Sequence, residues 1–475
     1  MPPAPRKTAR VATSVTAHPR IAVIDTACEC HSCGFFQHLP ELEPGQVASC
    51  QRCGAQIGRR RTNPRVSTPL AFTLTSTVLY VVAMASPLMT FDLYGRSRTV
   101  TLLTGPAEFM HENWTMLGLL VGFATALAPA LAIGLMLLIL YAASRPCLPG
   151  WAPMLLRWYE RLRPWSMIEV YMLGVFVAYT KLIDLATVTI GAAVWALAAL
   201  LFSMAATDST LDTEMIWQRR RVASTTRRVN GRPVLVDTTG CTAETLPQVD
   251  HMVSCVGCGL VCAAPYPIPR RRLLGECPRC GGLVRSRKSQ SLQRTVALLA
   301  SAVILYIPAN LYPVMTIVKL NRGGGHTILS GVVELYEAGM LPLALLVFFA
   351  SITVPILKIV SLAIMCWCTW RGSAWRLVGR SRLYRLVDFI GRWSMIDVFM
   401  VSILIALVKF GGLGDIRAEP GAFAFAAVVV LTIFAANCFD PRLMWDAAGL
   451  NGVTERAGRG RASGRRASPV EAAAS

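Results

Sequence analysis

Eight of the fifteen cysteines fall in four C-x2-C pairs, and the pairs come two by two. Cys30-His31-Ser32-Cys33-Gly34 is followed, after sixteen residues, by Cys50-Gln51-Arg52-Cys53-Gly54. Cys255-Val256-Gly257-Cys258-Gly259 is followed, after eighteen, by Cys277-Pro278-Arg279-Cys280-Gly281. Two residues between cysteines let a tight turn aim both thiolates at one ion, and the glycine that follows suits a backbone with positive φ. Two such turns complete a tetrahedral sulfur site suited to zinc. The spacing therefore predicts two small β zinc-ribbon (rubredoxin-like) modules, with iron as the alternative metal. Four thiolates leave no open coordination position, so the metals are expected to be structural. His31 reads as an exposed loop histidine, and Cys28, Cys241 and Cys262 lie nearby without completing a pair.

A second set of chemical residues lies inside apolar sequence. Glu169 and Lys181 interrupt the stretch 165–183, and Asp397 and Lys409 interrupt 393–410, with acid and lysine twelve residues apart in both. Lys358 stands about twenty residues into 338–370, and its counterpart in the other half is Ala132. An ionisable group at membrane depth is costly and by default marks function. Snorkelling to the headgroups accounts equally well for Lys181 and Lys409. Lys358 lies at a depth similar to Asp397, and a Lys358–Asp397 pair would offset part of each charge's desolvation cost.

The elements that carry these residues occur twice. Trp165-Ser166-Met167-Ile168-Glu169-Val170-Tyr171-Met172 returns as Trp393-Ser394-Met395-Ile396-Asp397-Val398-Phe399-Met400, 228 residues later. Pro87-Leu88-Met89-Thr90 and Thr101-Leu102-Leu103-Thr104-Gly105 return 226 residues later as Pro313-Val314-Met315-Thr316 and Thr327-Ile328-Leu329-Ser330-Gly331. The halves run over about 25–218 and 250–446. Hydrophobic residues make up 54% and charged residues 16%, against roughly 25% charged in a soluble domain. Eight apolar stretches approach the ~20 residues a membrane helix needs: 66–91, 113–144, 165–183, 185–207, 295–318, 338–370, 393–410 and 421–439. The expected fold is thus an all-α polytopic membrane protein of two tandem repeats, each a ribbon followed by about four transmembrane helices. Pro87, Pro129, Pro313 and Pro355 sit at matching places in these stretches, as cavity-lining breaks or packing kinks.

The net charge of +20 gathers between the apolar blocks, the pattern of cytoplasmic loops and not of a nucleic-acid surface. Four arginines lie in 145–164 and six in 371–392, against two basic residues in 92–112, two in 319–337 and one in 411–420. The ribbon-bearing segments are more basic still, so both ribbons and both termini are expected in the cytoplasm. Paired C-x2-C motifs fit that reducing compartment, and the N-terminus has no apolar core of signal-peptide length. The expected order is a disordered 1–24, ribbon 25–62, membrane domain 66–207, linker 208–249, ribbon 250–288, membrane domain 295–439 and a disordered basic tail 446–475. All six histidines lie outside the spans or at their edges, so none pairs for a membrane haem, and there is no phosphate loop or nucleophile elbow. An enzyme is disfavoured.

Two C-x2-C…C-x2-C ribbons, each ahead of four spans, with W-S-M-I-[ED]-V-[FY] opening the third, resemble the paraquat-inducible protein A family, which includes the lipophilic-envelope-spanning-tunnel A proteins. Phe439-Asp440-Pro441-Arg442-Leu443-Met444-Trp445 is similar to that family's closing motif, and the first half keeps only Leu211-Asp212-Thr213-Glu214-Met215-Ile216-Trp217. The resemblance implies a bacterial inner-membrane partner of periplasmic MCE-domain proteins, which form lipid-carrying tunnels between the two membranes. From the residues alone a membrane redox or stress-sensing metalloprotein stays open, as does a small-solute or proton-coupled transporter. A lipid-handling polar site around Lys358, Asp397 and Lys409 is the expectation for the second half, with Glu169 and Lys181 as the first half's lesser version.

Overall fold

The computed structural model describes residues 8–9, 27–39, 42–61, 66–93, 96–145, 148–183, 187–218, 228–229, 232–233, 235–237, 252–263, 273–319, 322–337, 339–408 and 415–450. Apart from Thr8–Ala9, the expected disordered N-terminus lies outside these residues, as do Lys409 and the tail beyond 450.

Charge-free apolar sequence forms long helices here because no water competes for their backbone groups in lipid. In the first half α1 spans Ser67–Ala85, α2 Thr104–His111, α3 Thr115–Gly122, α4 Ala128–Ala143, α5 Ala152–Leu162, α6 Ile168–Leu182, α7 Ala192–Thr210 and α8 Thr213–Gln218. In the second, α9 spans Ser291–Leu311, α10 Ile328–Glu337, α11 Leu341–Phe348, α12 Val354–Trp370, α13 Leu377–Ile390, α14 Ile396–Leu407, α15 Pro420–Cys438 and α16 Arg442–Ala447. Element for element, the two sets follow one order.

Among the described residues seven helical runs are long and apolar enough to cross a membrane, where eight were expected. The shortfall is the third span of the first half. Helix α6 has fifteen residues, about 22 Å at 1.5 Å per residue, short of a ~30 Å hydrocarbon layer. Its counterpart α14 has twelve residues, all buried, and reaches span length only in a run that begins with α13 at Leu377. These short helices are core elements: α14 packs on α6 and on α2, so the second half's W-S-M-I-D helix lies against the first half. Two glycines permit that approach. A Cβ on Gly105 would come 2.3 Å from Ser402 Oγ, and one on Gly174 would come 3.1 Å from Phe399 Cβ.

Sequence reading gave no strands outside the ribbons, yet each half carries a three-stranded antiparallel sheet at the opposite end of its helices. Met89–Leu93 pairs with Arg96–Val100 and Thr187–Ile190, and Met315–Lys319 pairs with Arg322–His326 and Asp415–Ala418. The third strand arrives from a distant loop, a partner no local pattern announces.

The prolines also need correcting. Helix α1 ends at Ala85 and α9 at Leu311, so Pro87 and Pro313 stand beyond the helices. Their carbonyls accept from Ala193 N at 3.1 Å and Gly421 N at 3.1 Å, which anchors the starts of α7 and α15. Pro129 and Pro355 do lie in long helices, each just after a π-helical turn, Phe123–Leu127 and Phe349–Thr353. A proline ring clashes with the carbonyl four residues back in a regular helix, and a wide turn relieves that clash.

Helix α1 packs along α7 and α9 along α15. Small polar residues serve as the interface, as lipid-embedded packing favours: Ser76 Oγ lies 2.9 Å from Ser203 Oγ, and Thr295 Oγ1 donates to Ala435 O at 3.4 Å.

Candidate metal centres and membrane polar site

The four C-x2-C turns share one hydrogen-bond pattern. Gly34 N donates to Cys30 O at 2.8 Å, Gly54 N to Cys50 O at 2.9 Å, Gly259 N to Cys255 O at 2.8 Å and Gly281 N to Cys277 O at 2.8 Å. All four glycines lie at φ between 65° and 71°, where a side chain would be strained. Cys30, Cys33, Cys50 and Cys53 form one buried quartet and Cys255, Cys258, Cys277 and Cys280 the other, each with its Sγ atoms within 4.8 Å of one another. Cross-turn Sγ pairs lie 3.5–3.6 Å apart in the first, Cys30–Cys53 and Cys33–Cys50, and 3.5 Å in the second, Cys255–Cys280 and Cys258–Cys277. A tetrahedron with Zn–S bonds of 2.3 Å has edges of about 3.8 Å, so both donor sets fit such an ion. Hydrogen bonds from Cys30, Cys33 and Cys53 hold the Cys50 thiol far below its ordinary value, and those from Cys258, Cys277 and Cys280 do the same for Cys255. A metal replaces protons that such a cluster already shares unequally. His31 is exposed and outside the quartet.

Each ribbon precedes its own half's helices in the chain, yet each packs against the other half. The first quartet shares an apolar cluster with Leu299, Leu362, Met365, Phe439 and Trp445, and the second with Leu156, Tyr159, Met136, Ile216 and Trp217. Arg52, inside the second C-x2-C turn, stacks its guanidinium 4.6 Å from the Trp445 ring, while Trp445 Nε1 donates to Ser381 Oγ at 3.0 Å. A buried charge cluster secures this contact. Arg442 Nη1 donates to Glu29 Oε1 at 3.1 Å, and Arg442 Nε to Asp440 Oδ1 at 3.0 Å. Arg287 Nη1 reaches Glu29 Oε1 at 3.2 Å, and Arg287 Nε reaches Asp446 Oδ2 at 2.8 Å. Ser254 Oγ of the other ribbon donates to Glu29 Oε2 at 2.5 Å. Burial alone would raise the Asp440 carboxyl, but the Arg442 guanidinium, helped by Arg287 and the Lys288 N–H, outweighs it and holds the carboxyl below its ordinary value. Sequence reading missed Glu29 and Arg287. The only signal for the cluster was the Asp440–Trp445 motif, whose partners lie hundreds of residues away.

Of the five ionisable membrane residues, Lys358 and Asp397 are buried, at 1% and 5% exposure, and Glu169 is exposed. The side chain of Lys181 and the whole of Lys409 lie outside the described residues. The structure does not make the expected Lys358–Asp397 pair. Lys358 Nζ donates to Gly391 O at 3.0 Å and to Thr432 Oγ1 at 3.1 Å. Position 391 must stay small for this, since a Cβ there would come 3.0 Å from Lys358 Cε. Lys358 thus reaches the 3₁₀ turn Gly391–Met395 ahead of α14, whereas Asp397 lies inside α14. Ser394 and Ser402 flank Asp397 in sequence, both buried and with hydroxyls that find no hydrogen-bond partner among the described residues. The second half's core therefore holds an ammonium, a carboxylate and two hydroxyls. Neutral side chains would cost far less there.

A family model described as Paraquat-inducible protein A matches residues 66–221 and 292–449. The intermembrane transport protein PqiA of Escherichia coli K12 is 34% identical over 420 residues, covering 88% of this chain and 95% of that protein. The lipophilic envelope-spanning tunnel protein A of the same organism is 32% identical over 424 residues, 88% and 91% of the two chains. A probable intermembrane transport protein of Haemophilus influenzae Rd is 25% identical over 432 residues, covering 88% and 95%. No solved structure matches the chain.

Proposed function

The chain belongs to the paraquat-inducible protein A family, and from that premise we propose that it is the inner-membrane component of a lipid transport system that joins the two bacterial membranes and maintains the envelope. The observation that carries the proposal is the similarity itself: relatives named for intermembrane transport and for an envelope-spanning tunnel match 88% of this chain and nearly all of their own length. In this reading the protein is not an enzyme. Its partner is a periplasmic MCE-domain protein, its cargo membrane lipid, and the two quartets hold two structural zinc ions. The ribbons and both termini face the cytoplasm, as the arginine-rich loops 145–164 and 371–392 require, and the two sheets face the periplasm, where a tunnel would dock. The halves are tandem repeats of equal topology, because each returns the chain to the side where it began, so they are related about an axis along the membrane normal.

The lipid-handling site lies in the second half, around Lys358, Asp397 and Lys409, with Thr432 and Gly391 holding the ammonium end. Support for it is physical. Lys358 is buried on two neutral acceptors, so among the described residues no bonded carboxylate would have to be displaced by an anionic headgroup. Complementation of a deletion strain, with immunoblots of the membrane fraction, tests the site. Lys358→Ala and Asp397→Ala should abolish envelope integrity at normal abundance, and Glu169→Ala should have a milder effect. Full complementation by both would remove the site from the account.

A further inference from the structure

The first-half counterpart of Lys358 lines a cavity. Ala132 stands 226 residues before Lys358, the offset that relates the neighbouring motifs, and it lines a space of about 20 Å³ between α1, α4, α5 and α7. Its lining is mostly apolar, from Ala132, Ile133, Met136 and Met204. Thr73, Ser76, Thr207, Tyr159 and Asp208 are its polar members. Every hydroxyl there has its proton committed. Thr73 Oγ1 donates to Pro69 O at 2.7 Å, Ser76 Oγ to Phe72 O at 2.9 Å, Thr207 Oγ1 to Ser203 O at 3.0 Å and Tyr159 OH to Asp208 Oδ1 at 3.1 Å. What remains for a guest is lone pairs, on three buried hydroxyls and on a carboxylate that can accept several bonds. The polar members of the lining therefore accept and do not donate, and they suit a small donor group carried on an apolar stem.

Size and surroundings narrow the guest. The volume admits one water-sized group, enough for an ammonium head and too little for one enlarged by three methyl groups. Asp208 Oδ2 also receives Arg163 Nη2 at 2.5 Å, and Arg163 is half exposed, in the basic loop between α5 and α6. Arg61 lies on the same side, with Nη2 on Asp208 O at 2.8 Å. A cation entering the cavity thus meets acceptors inside and two guanidiniums at the rim, the complement of a zwitterion with an ammonium at one end and a phosphate next to it.

We propose that the first half binds the primary ammonium of an ethanolamine phospholipid in this cavity, beside the counterpart of Lys358, with the lipid phosphate on Arg163 and Arg61. The site deepens the lipid-handling reading above and rests on it for the presence of lipid at this depth. It makes the two halves unequal: one carries a built-in amine, the other borrows one from lipid.

Native mass spectrometry of the full chain, exchanged into equal amounts of phosphatidylethanolamine, phosphatidylcholine and phosphatidylglycerol, tests this without any transport step. Ethanolamine lipid should be retained about tenfold or more over choline lipid, the effect of one charge-assisted hydrogen bond lost. Ala132→Lys should remove that preference at an unchanged melting temperature, because it supplies the amine covalently. Thr207→Val, which keeps the volume and deletes an acceptor, should lower it, and serves if the lysine variant fails to fold. Methylammonium should compete in the millimolar range and tetramethylammonium should not. Equal retention of the ethanolamine and choline lipids, or an undiminished preference in both variants, overturns the proposal. Competition by methylammonium with no lipid preference overturns the lipid and leaves a free-amine site. Loss of lipid transport in cells with the preference intact would count against the transport reading alone.

Discussion

Replacing Arg442 by alanine removes the residue that ties the first ribbon to the end of the second membrane domain. Arg442 makes three side-chain hydrogen bonds to two buried carboxylates, two to Asp440 and one to Glu29. Its loss leaves Glu29 with Arg287 and the Ser254 hydroxyl, and strips Asp440 of its only side-chain hydrogen-bond donor among the described contacts. Breaking a buried ion pair by removing one member costs about 3–5 kcal/mol, because the surviving charge stays desolvated. Arg163→Ala is the matched control: it also loses an ion pair to an aspartate, but its side chain is 53% exposed, where such pairs are worth about 0–1 kcal/mol. Thermal unfolding of the detergent-solubilised chain should drop by an amount on the order of 5–10 °C for Arg442→Ala and by about 2 °C or less for Arg163→Ala. A double variant, Glu29→Gln with Arg442→Met, should recover part of the loss, since replacing a buried pair outright is far cheaper than orphaning half of it. If Arg442→Ala melts with Arg163→Ala, the cluster is not the clamp described here.

The remaining predictions are more direct. Elemental analysis of the purified chain should find two zinc per molecule, and Cys53→Ser should lower that to one; iron, or no metal, would contradict the assignment. Because the Asp440 carboxyl is held below its ordinary value of 3.8, its contribution is fully present above that pH and lost as the pH falls through the lower folded value, so the melting difference between wild type and Arg442→Ala should be the same at pH 7 and pH 5. Single cysteines engineered at 92–112, 319–337 and 411–420 should react with a membrane-impermeant reagent added outside, and those at 145–164 and 371–392 should not; the reverse pattern overturns the orientation. Gly391→Leu should mimic Lys358→Ala in the complementation assay, since the added side chain needs the volume that holds Lys358 Cε.

The ribbons were legible in the sequence because everything that builds a C-x2-C turn lies within six residues: the two thiols, the glycine at positive φ and the backbone bond that closes it. The long spans were legible for a similar reason, since twenty apolar residues without charge have few other fates. What failed was whatever depends on a distant partner. Helices α6 and α14 read as spans, and each does join a basic loop to a sheet strand at the opposite end; what their apolar content could not tell is that they pack on each other, since burial in protein looks the same as burial in lipid. The strands Thr187–Ile190 and Asp415–Ala418 carry no pattern of their own and are fixed by hairpins about a hundred residues upstream. The exchange of ribbons between halves is invisible to any reading in chain order, and so is the cluster that Glu29 joins with Arg287 and Arg442. Lys358 was picked out correctly as buried, but its partner was not. The depth argument pointed to Asp397, while the lysine bends instead to the backbone carbonyl of Gly391, where a side chain would crowd it.

Lipid movement itself tests the account most directly. Donor liposomes carrying the purified chain, joined through the MCE-domain protein proposed above as its partner to acceptor liposomes, should pass a fluorescent phospholipid to the acceptors at a rate that depends on the chain and falls to background with Lys358→Ala. Transfer at the same rate from donors that lack the chain, or undiminished transfer by the Lys358→Ala protein, would contradict it.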